Sequence, residues 1–137
     1  MASKLVKLCA LVVFALLIQA WTGSPTVSSA STATQLNSRG SDLYEKKQWE
    51  EAATLFLRAY ELEPNTPIIR QNLMNAAMMF SQSLFDSGDA EGAIEWLEIA
   101  VQSESNNVRP LNQLAAYLLS EGETSSAIFR LEEAIEL

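Results

Sequence analysis

The chain has 137 residues, 48% of them hydrophobic, and a formal net charge of -8. This length suffices for one small domain with a single core. The acidic balance excludes the basic surface that neutralises phosphates, so we expect no nucleic-acid partner.

The N-terminal segment has the order of regions typical of a secretory signal. Lys4 and Lys7 precede an apolar run over 8–20, and residues rich in Ser, Thr, Gly and Pro follow. As a helix the run spans about 20 Å, short of the about 30 Å of a bilayer core. We therefore predict a signal peptide over 1–20 and an extracytoplasmic (periplasmic or secreted) location. The chain is membrane-anchored only if this segment stays uncleaved.

The sequence defines the cleavage site and the start of the folded domain less directly. Ala20, Ala30 and Ala33 each offer the small residue that cleavage requires, and the sequence does not choose among them. Residues 21–32 lack apolar periodicity and are interpreted as a disordered linker. Ordered structure is then expected from about Ala33.

From Ala33 onward, helical periodicity alternates with short breaks. The breaks are KKQ at 46–48, PNTP at 64–67, SGD at 87–89, SNN at 105–107 and EGE at 121–123. About six helices are therefore predicted. No stretch has the strict alternation of a half-buried strand, so the predicted class is all-α.

Several breaks contain residues suited to ending or starting a helix. Gly88 and Gly122 occupy equivalent breaks, where a positive φ is easiest for glycine. The predicted N-caps are Thr66 with Pro67 at the first helical position, Asp89, Asn107 and Thr124.

Three of the helices share one apolar pattern. Alanine is followed four residues later by a large apolar residue and three further by a second alanine: Ala52, Phe56 and Ala59; Ala93, Leu97 and Ala100; Ala127, Leu131 and Ala134. These offsets lie on one stripe of a helix, where small residues permit close packing. The first alanines are separated by 41 and then 34 residues.

This pattern resembles the tetratricopeptide repeat family, whose 34-residue unit is a pair of antiparallel helices. Matching positions are Gly40, Ala52, Phe56, Ala59 and Pro64 in the first unit, and Leu111, Leu114, Ala115, Leu118, Ala127, Leu131 and Ala134 in the third. The resemblance covers about 33–137. It implies a right-handed α-solenoid of three helix pairs, with units of about 33–66, 67–107 and 108–137.

Two features depart from the family pattern. Arg39 replaces a usual apolar residue, and the second unit has seven extra residues. Seven residues are close to two helical turns, which preserves the buried face. We therefore predict a third helix lengthened to about 67–87, projecting beyond its neighbours and keeping a stripe of Leu73, Ala77, Phe80 and Leu84.

The sequence offers little catalytic or metal-binding chemistry. It has no histidine, and its single cysteine, Cys9, lies in the predicted signal. Ser–His and Cys–His pairs and most zinc sites are thereby excluded. Adjacent glutamates such as Glu50 and Glu51 point in different directions on a helix. We predict no enzyme activity, cofactor or metal site.

The resemblance implies a binding function in the groove lined by the first helix of each pair, since stacked repeats form a concave face. The corresponding positions are Asn37, Ser41 and Tyr44, then Asn72, Asn75, Met78, Gln82 and Phe85, then Arg109, Asn112 and Ala116. Asparagine suits a peptide backbone because it both donates and accepts, whereas Tyr44, Met78 and Phe85 suit an apolar side chain. The predicted function is an exported scaffold for a protein or peptide partner of unknown identity.

Some family members grip the C-terminal carboxylate of chaperones with lysines, an arginine and asparagines. Here Asn37 and Ser41 stand in place of lysine and asparagine, and Gln113 stands where the arginine is expected. That carboxylate site is not present in the same form, so a chaperone partner is not expected.

The last helix supports two alternatives. Outward-facing apolar residues are expected among Ile128, Leu131, Ile135 and Leu137, whereas terminal repeats usually present a polar face. One alternative is a membrane-tethered assembly subunit that oligomerises through this helix. The other is the N-terminal interaction module of a longer enzyme.

Overall fold

The computed structural model describes residues 28–137, and within them every regular element is helical. The helices, numbered from the first described one, are α1 (Ser29–Glu45), α2 (Trp49–Leu62), α3 (Pro67–Asp86), α4 (Ala90–Ser103), α5 (Val108–Ser120) and α6 (Thr124–Glu136). Each helix packs against the next, and α1 also contacts α3. The predicted all-α class and the six helices are confirmed.

The first helix begins a turn earlier than expected. α1 starts at Ser29, and Ala33 is completely buried inside it rather than marking its start. Residues 29–32, assigned to the linker from sequence, are therefore helical. The signal over 1–20 and the linker up to residue 27 lie outside the described residues. Among the helices that are described, none is both long and apolar enough to cross a membrane.

Two of the predicted N-caps form the expected hydrogen bonds. The Oδ1 atom of Asp89 accepts from the backbone N–H of Gly92 at 3.0 Å, and Oδ1 of Asn107 accepts from that of Arg109 at 3.0 Å. Thr66 occupies the N-cap position, but its hydroxyl donates to Glu63 Oε2 at 3.0 Å instead of accepting from α3.

The prediction of Thr124 as an N-cap is wrong. Thr124 is the first residue of α6, and Glu123 holds the N-cap position. The turn decides this, because the Glu123 N–H donates to the Leu118 carbonyl at 2.8 Å, as that of Asp89 does to Leu84 at 2.9 Å. The turns at Gly88 and Gly122 therefore place Asp89 and Glu123 at the same N-cap position. The capping preference of Thr124, the next residue, does not change where α6 begins.

The seven extra residues of the second unit lie entirely within α3. This helix has 20 residues against 13 in α5, whereas the loops on either side of the two helices have matching lengths. The lengthened helix is thus confirmed, but its first turns are packed rather than projecting. Ile69 is buried with Ala33, Leu36 and Ala59, so α1 and α2 cover the extension.

Close packing inside each pair depends on a small residue opposite a large one. A Cβ atom on Gly40 would lie 2.8 Å from Cε1 of Phe56, so α1 approaches α2 closely only because position 40 has no side chain. Phe56 is buried in a cluster with Ala52, Ala53, Leu73 and Ala76, which joins α2 to α3. A similar cluster is shared by α4, α5 and α6.

The loop inside each pair turns through one residue with positive φ. That residue is Gly88 (φ 92°) in the second pair and Gly122 (φ 82°) in the third, as the sequence predicted. In the first pair the position is occupied by Lys47, with φ 61°. A non-glycine residue in this region pays a steric cost of about 1–2 kcal/mol.

We therefore expect Lys47→Gly to raise the free energy of unfolding by about 0.5–1 kcal/mol, the relief of strain minus the entropy that glycine loses on folding. Urea unfolding of the two proteins measures the difference. Lys46→Gly is the matched control, because Lys46 has φ -81° and gains no relief. An equal rise in both variants would contradict the explanation.

Candidate functional site

The face formed by α1 and α3 contains a cavity of about 130 Å³. We call it the groove cavity; it is lined by Ser41, Tyr44, Glu45, Phe56, Asn72 and Asn75. Four of these residues were expected in the groove from sequence. Glu45 and Phe56 were not, although Glu45 directly follows Tyr44 on α1.

Hydrogen bonds between amides fix one wall of the groove cavity. Nδ2 of Asn72 donates to Oδ1 of Asn37 at 2.9 Å and so ties α3 to α1. The Ser41 hydroxyl donates to the backbone carbonyl of Asn37 at 3.0 Å. Asn37 therefore positions this wall by accepting one hydrogen bond from Asn72 and one from Ser41. Asn75 forms no side-chain hydrogen bond with any residue of the described range and is half-buried.

A second polar contact joins α3 to α5. The Tyr117 hydroxyl donates to Oε1 of Gln82 at 2.8 Å and accepts from Nε2 of Gln113 at 3.0 Å. The rings of Phe85 and Tyr117 stack with centroids 4.0 Å apart and an interplanar angle of 9°. Gln82 and Phe85 are thus engaged within the protein. Sequence reasoning missed Tyr117, although its spacing of four from Gln113 on one helix was a usable signal.

The other predicted groove residues are not gathered at the cavity. Met78 is half-buried and packs against core residues of α4 and α5. Arg109, Asn112 and Ala116 are exposed on α5, outside the cavity lining. A binding role for these α5 positions stays a prediction.

The charges around the site are uneven. Glu45 is exposed and forms no ion pair within residues 28–137. The ion pairs seen in this range lie elsewhere: Arg70 with Glu104 at 3.1 Å, and Arg130 with Glu98 at 2.6 Å and with Glu133 at 2.9 Å. Burial lowers the pKa of Arg130, but the two glutamates outweigh burial and the pKa is raised.

Metal ligands do not converge in the described part of the chain. Over residues 28–137, no group of three or more His, Cys, Asp or Glu side chains is placed to hold a metal ion. The groove cavity contributes one carboxylate, with hydroxyl and amide groups around it. This arrangement suits recognition of hydrogen-bonding groups.

Comparisons with known proteins identify the fold. No family model matches the chain, and no curated protein matches it. Among solved structures, the second tetratricopeptide repeat domain of Spaghetti (RPAP3), bound to an HSP90 peptide, matches with a TM-score of 0.51 and 14% identity. The match covers 79% of this chain and 94% of that one.

MamA gives a match of the same quality. Its crystal structure has a TM-score of 0.52 and 19% identity, covering 78% of this chain and 58% of that one. A MamA R50E mutant has a TM-score of 0.50 and 18% identity, with 80% of each chain covered. The protein therefore has the tetratricopeptide repeat fold, built here from three helix pairs.

Proposed function

We propose that this protein is an exported interaction scaffold that binds a segment of a partner protein along α1, α3 and α5. The observation that supports this most directly is the groove cavity, whose half-buried Asn75 has no hydrogen-bond partner among the described residues. An amide in such a position can pair with a peptide backbone. The similarity to a Spaghetti domain bound to a peptide supports the same class of ligand.

The chemistry of the groove also favours a ligand other than a terminal carboxylate. A carboxylate accepts hydrogen bonds and requires donors or cations around it. Here Glu45 adds a negative charge to the cavity lining, and the nearby Asn72 donates to Asn37. The proposed ligand is therefore an internal segment of a chain, recognised through its backbone and side chains.

Peptide binding is tested by panning a random 12-residue phage library against the chain and measuring the enriched peptides by fluorescence anisotropy. We expect Asn75→Ala to weaken binding about five- to tenfold, since one lost hydrogen bond costs about 1 kcal/mol. Asn106→Ala is the matched control, because Asn106 is exposed in the loop between α4 and α5. Backbone amide NMR shifts should change on α1, α3 and α5. An equal loss of peptide affinity in both variants, or amide shift changes confined to α2, α4 and α6, would contradict the groove as the binding site.

Export is the second element of the proposal, and it depends on the signal pattern of residues 1–20. Cleavage after Ala20 leaves α1 complete, whereas cleavage after Ala33 removes its first turn and the buried Ala33. We therefore favour Ala20.

N-terminal sequencing of the protein recovered from the cell envelope or medium should read from Trp21 onward. A deletion of residues 2–20 is the control, and it should leave the protein inside the cell. Recovery of the full-length chain in the membrane fraction would instead support the tethered assembly subunit.

One observation favours self-association as a second candidate. The outer face of α6 and the residue after it carry apolar side chains exposed by between 38 and 84%: Ile128, Phe129, Leu131, Ile135 and Leu137. Leu131 is the counterpart of the buried Phe56 and Leu97, but its side chain is 38% exposed. Glu132 and Glu136 on the same helix would repel a second copy.

Sedimentation equilibrium should then show a dimer fraction that rises with protein concentration. Added salt should strengthen the dimer, because at 0.1 M ionic strength the repulsion between exposed glutamates more than about 10 Å apart is largely screened. Ile135→Lys should abolish it, whereas Ile68→Lys, on an exposed residue of α3, should not. A monomer at every concentration and salt level would exclude this candidate.

A further inference from the structure

We propose that the groove cavity receives a lysine or arginine side chain, so that the bound segment is basic. This inference rests on the proposed peptide-binding function and adds the chemical class of the ligand. Its starting point is the size of the cavity. At about 130 Å³ the cavity is well below the roughly 300–1,000 Å³ typical of small-molecule sites. It fits one side chain rather than a metabolite.

The hydrogen-bonding groups of the cavity favour a donor. Ser41 uses its only donor and Asn72 one of its two N–H donors inside the protein, which leaves the Ser41 hydroxyl oxygen and Oδ1 of Asn72 as acceptors, beside the Asn75 amide, which both donates and accepts. Glu45 adds a carboxylate, which only accepts when ionised. Lysine carries three donors and arginine five, so either side chain satisfies this set.

The position of Glu45 strengthens the preference for a cation. Glu45 is the last residue of α1, and the C-terminal end of a helix carries a partial negative charge. No basic residue lies in the last turn of α1 to offset it.

Aromatic side chains complete the cavity. Tyr44 and Phe56 line it, and Tyr44 is held by an edge-to-face contact with Trp49 at a centroid distance of 4.9 Å. Such walls pack well against the methylene stem of lysine or arginine. The face of an aromatic ring also attracts the charged head.

The protein's own cations do not occupy the site. Lys46 and Lys47 follow Glu45 directly, but they are exposed, and neither pairs with it in the described range. Arg39 of α1 lies by a different surface, with Glu50 and Glu51. The Glu45 carboxylate is thus available to a cation from a partner.

The test is a double-mutant cycle on peptides selected from the random library. Wild-type protein should enrich peptides with a lysine or arginine at one fixed position. In synthetic copies with acetylated N-termini, replacing that residue by methionine should weaken binding about 10- to 100-fold, the range for a lost charge-assisted hydrogen bond. Acetylation removes the terminal amine as a competing cation. Binding should also weaken as salt is raised.

Glu45→Gln should abolish the difference between the lysine and methionine peptides, because the coupled partner is gone. Glu61→Gln is the matched control, with the same charge change on an exposed residue of α2, and it should preserve the difference. Circular dichroism checks that both variants fold.

The outcomes separate this inference from the proposed function. Peptides could bind the groove while the Glu45→Gln variant keeps the wild-type difference in affinity between the lysine and methionine peptides. The basic side chain would then bind outside the groove cavity. The inference is then wrong and the scaffold stands. If the enriched peptides lack a basic residue, the inference also fails. If no peptide changes the amide chemical shifts of α1 and α3, the proposed function is wrong. This inference, which rests on it, is then wrong as well.

Discussion

The architecture depends on how closely the two helices of a pair approach each other. In the first pair that distance is set by Gly40, since any Cβ there would meet the Phe56 ring at 2.8 Å. The equivalent positions of the other pairs hold Ser81 and Ala115, also small and buried. Ser81 shows a cost of this constraint, because its hydroxyl has no hydrogen-bond partner among the described residues. Buried polar groups are normally satisfied, so size has taken precedence over polarity at this position.

Once the pairs are packed, neighbouring first helices lie side by side, and polar links add to the apolar contacts between them. Between α1 and α3 the link is an amide pair, Asn37 and Asn72, and between α3 and α5 it is the Tyr117 hydroxyl with Gln82. Polar links of this sort specify position more than they add stability, since a typical hydrogen bond contributes only about 1 kcal/mol net. The groove surface is therefore defined by side chains that are partly engaged with one another and partly free for a ligand.

The sequence predicted the fold well because helical periodicity and repeat spacing are local properties. The length of α3 followed from the same reasoning, since two added turns preserve the apolar stripe. Thr124 was predicted wrongly because side-chain preference was weighed without the turn at Gly122, which sets where α6 begins. The cavity was predicted only in part. Phe56 was assigned to packing alone, and Tyr117 meets a residue 35 positions away, a distance that no local pattern reports.

The long third helix shows how this architecture accommodates inserted residues. Seven residues advance an ideal helix by about 700°, which leaves the added turns within about 20° of their original phase. An insertion of that length keeps every later side chain on its face, so both flanking loops retain their lengths and α4 meets α3 as a shorter helix would. Insertions of other lengths would rotate the apolar stripe away from its neighbours. Repeat proteins of this kind can thus extend one wall of a binding surface in whole-turn steps, without redesigning the rest of the stack.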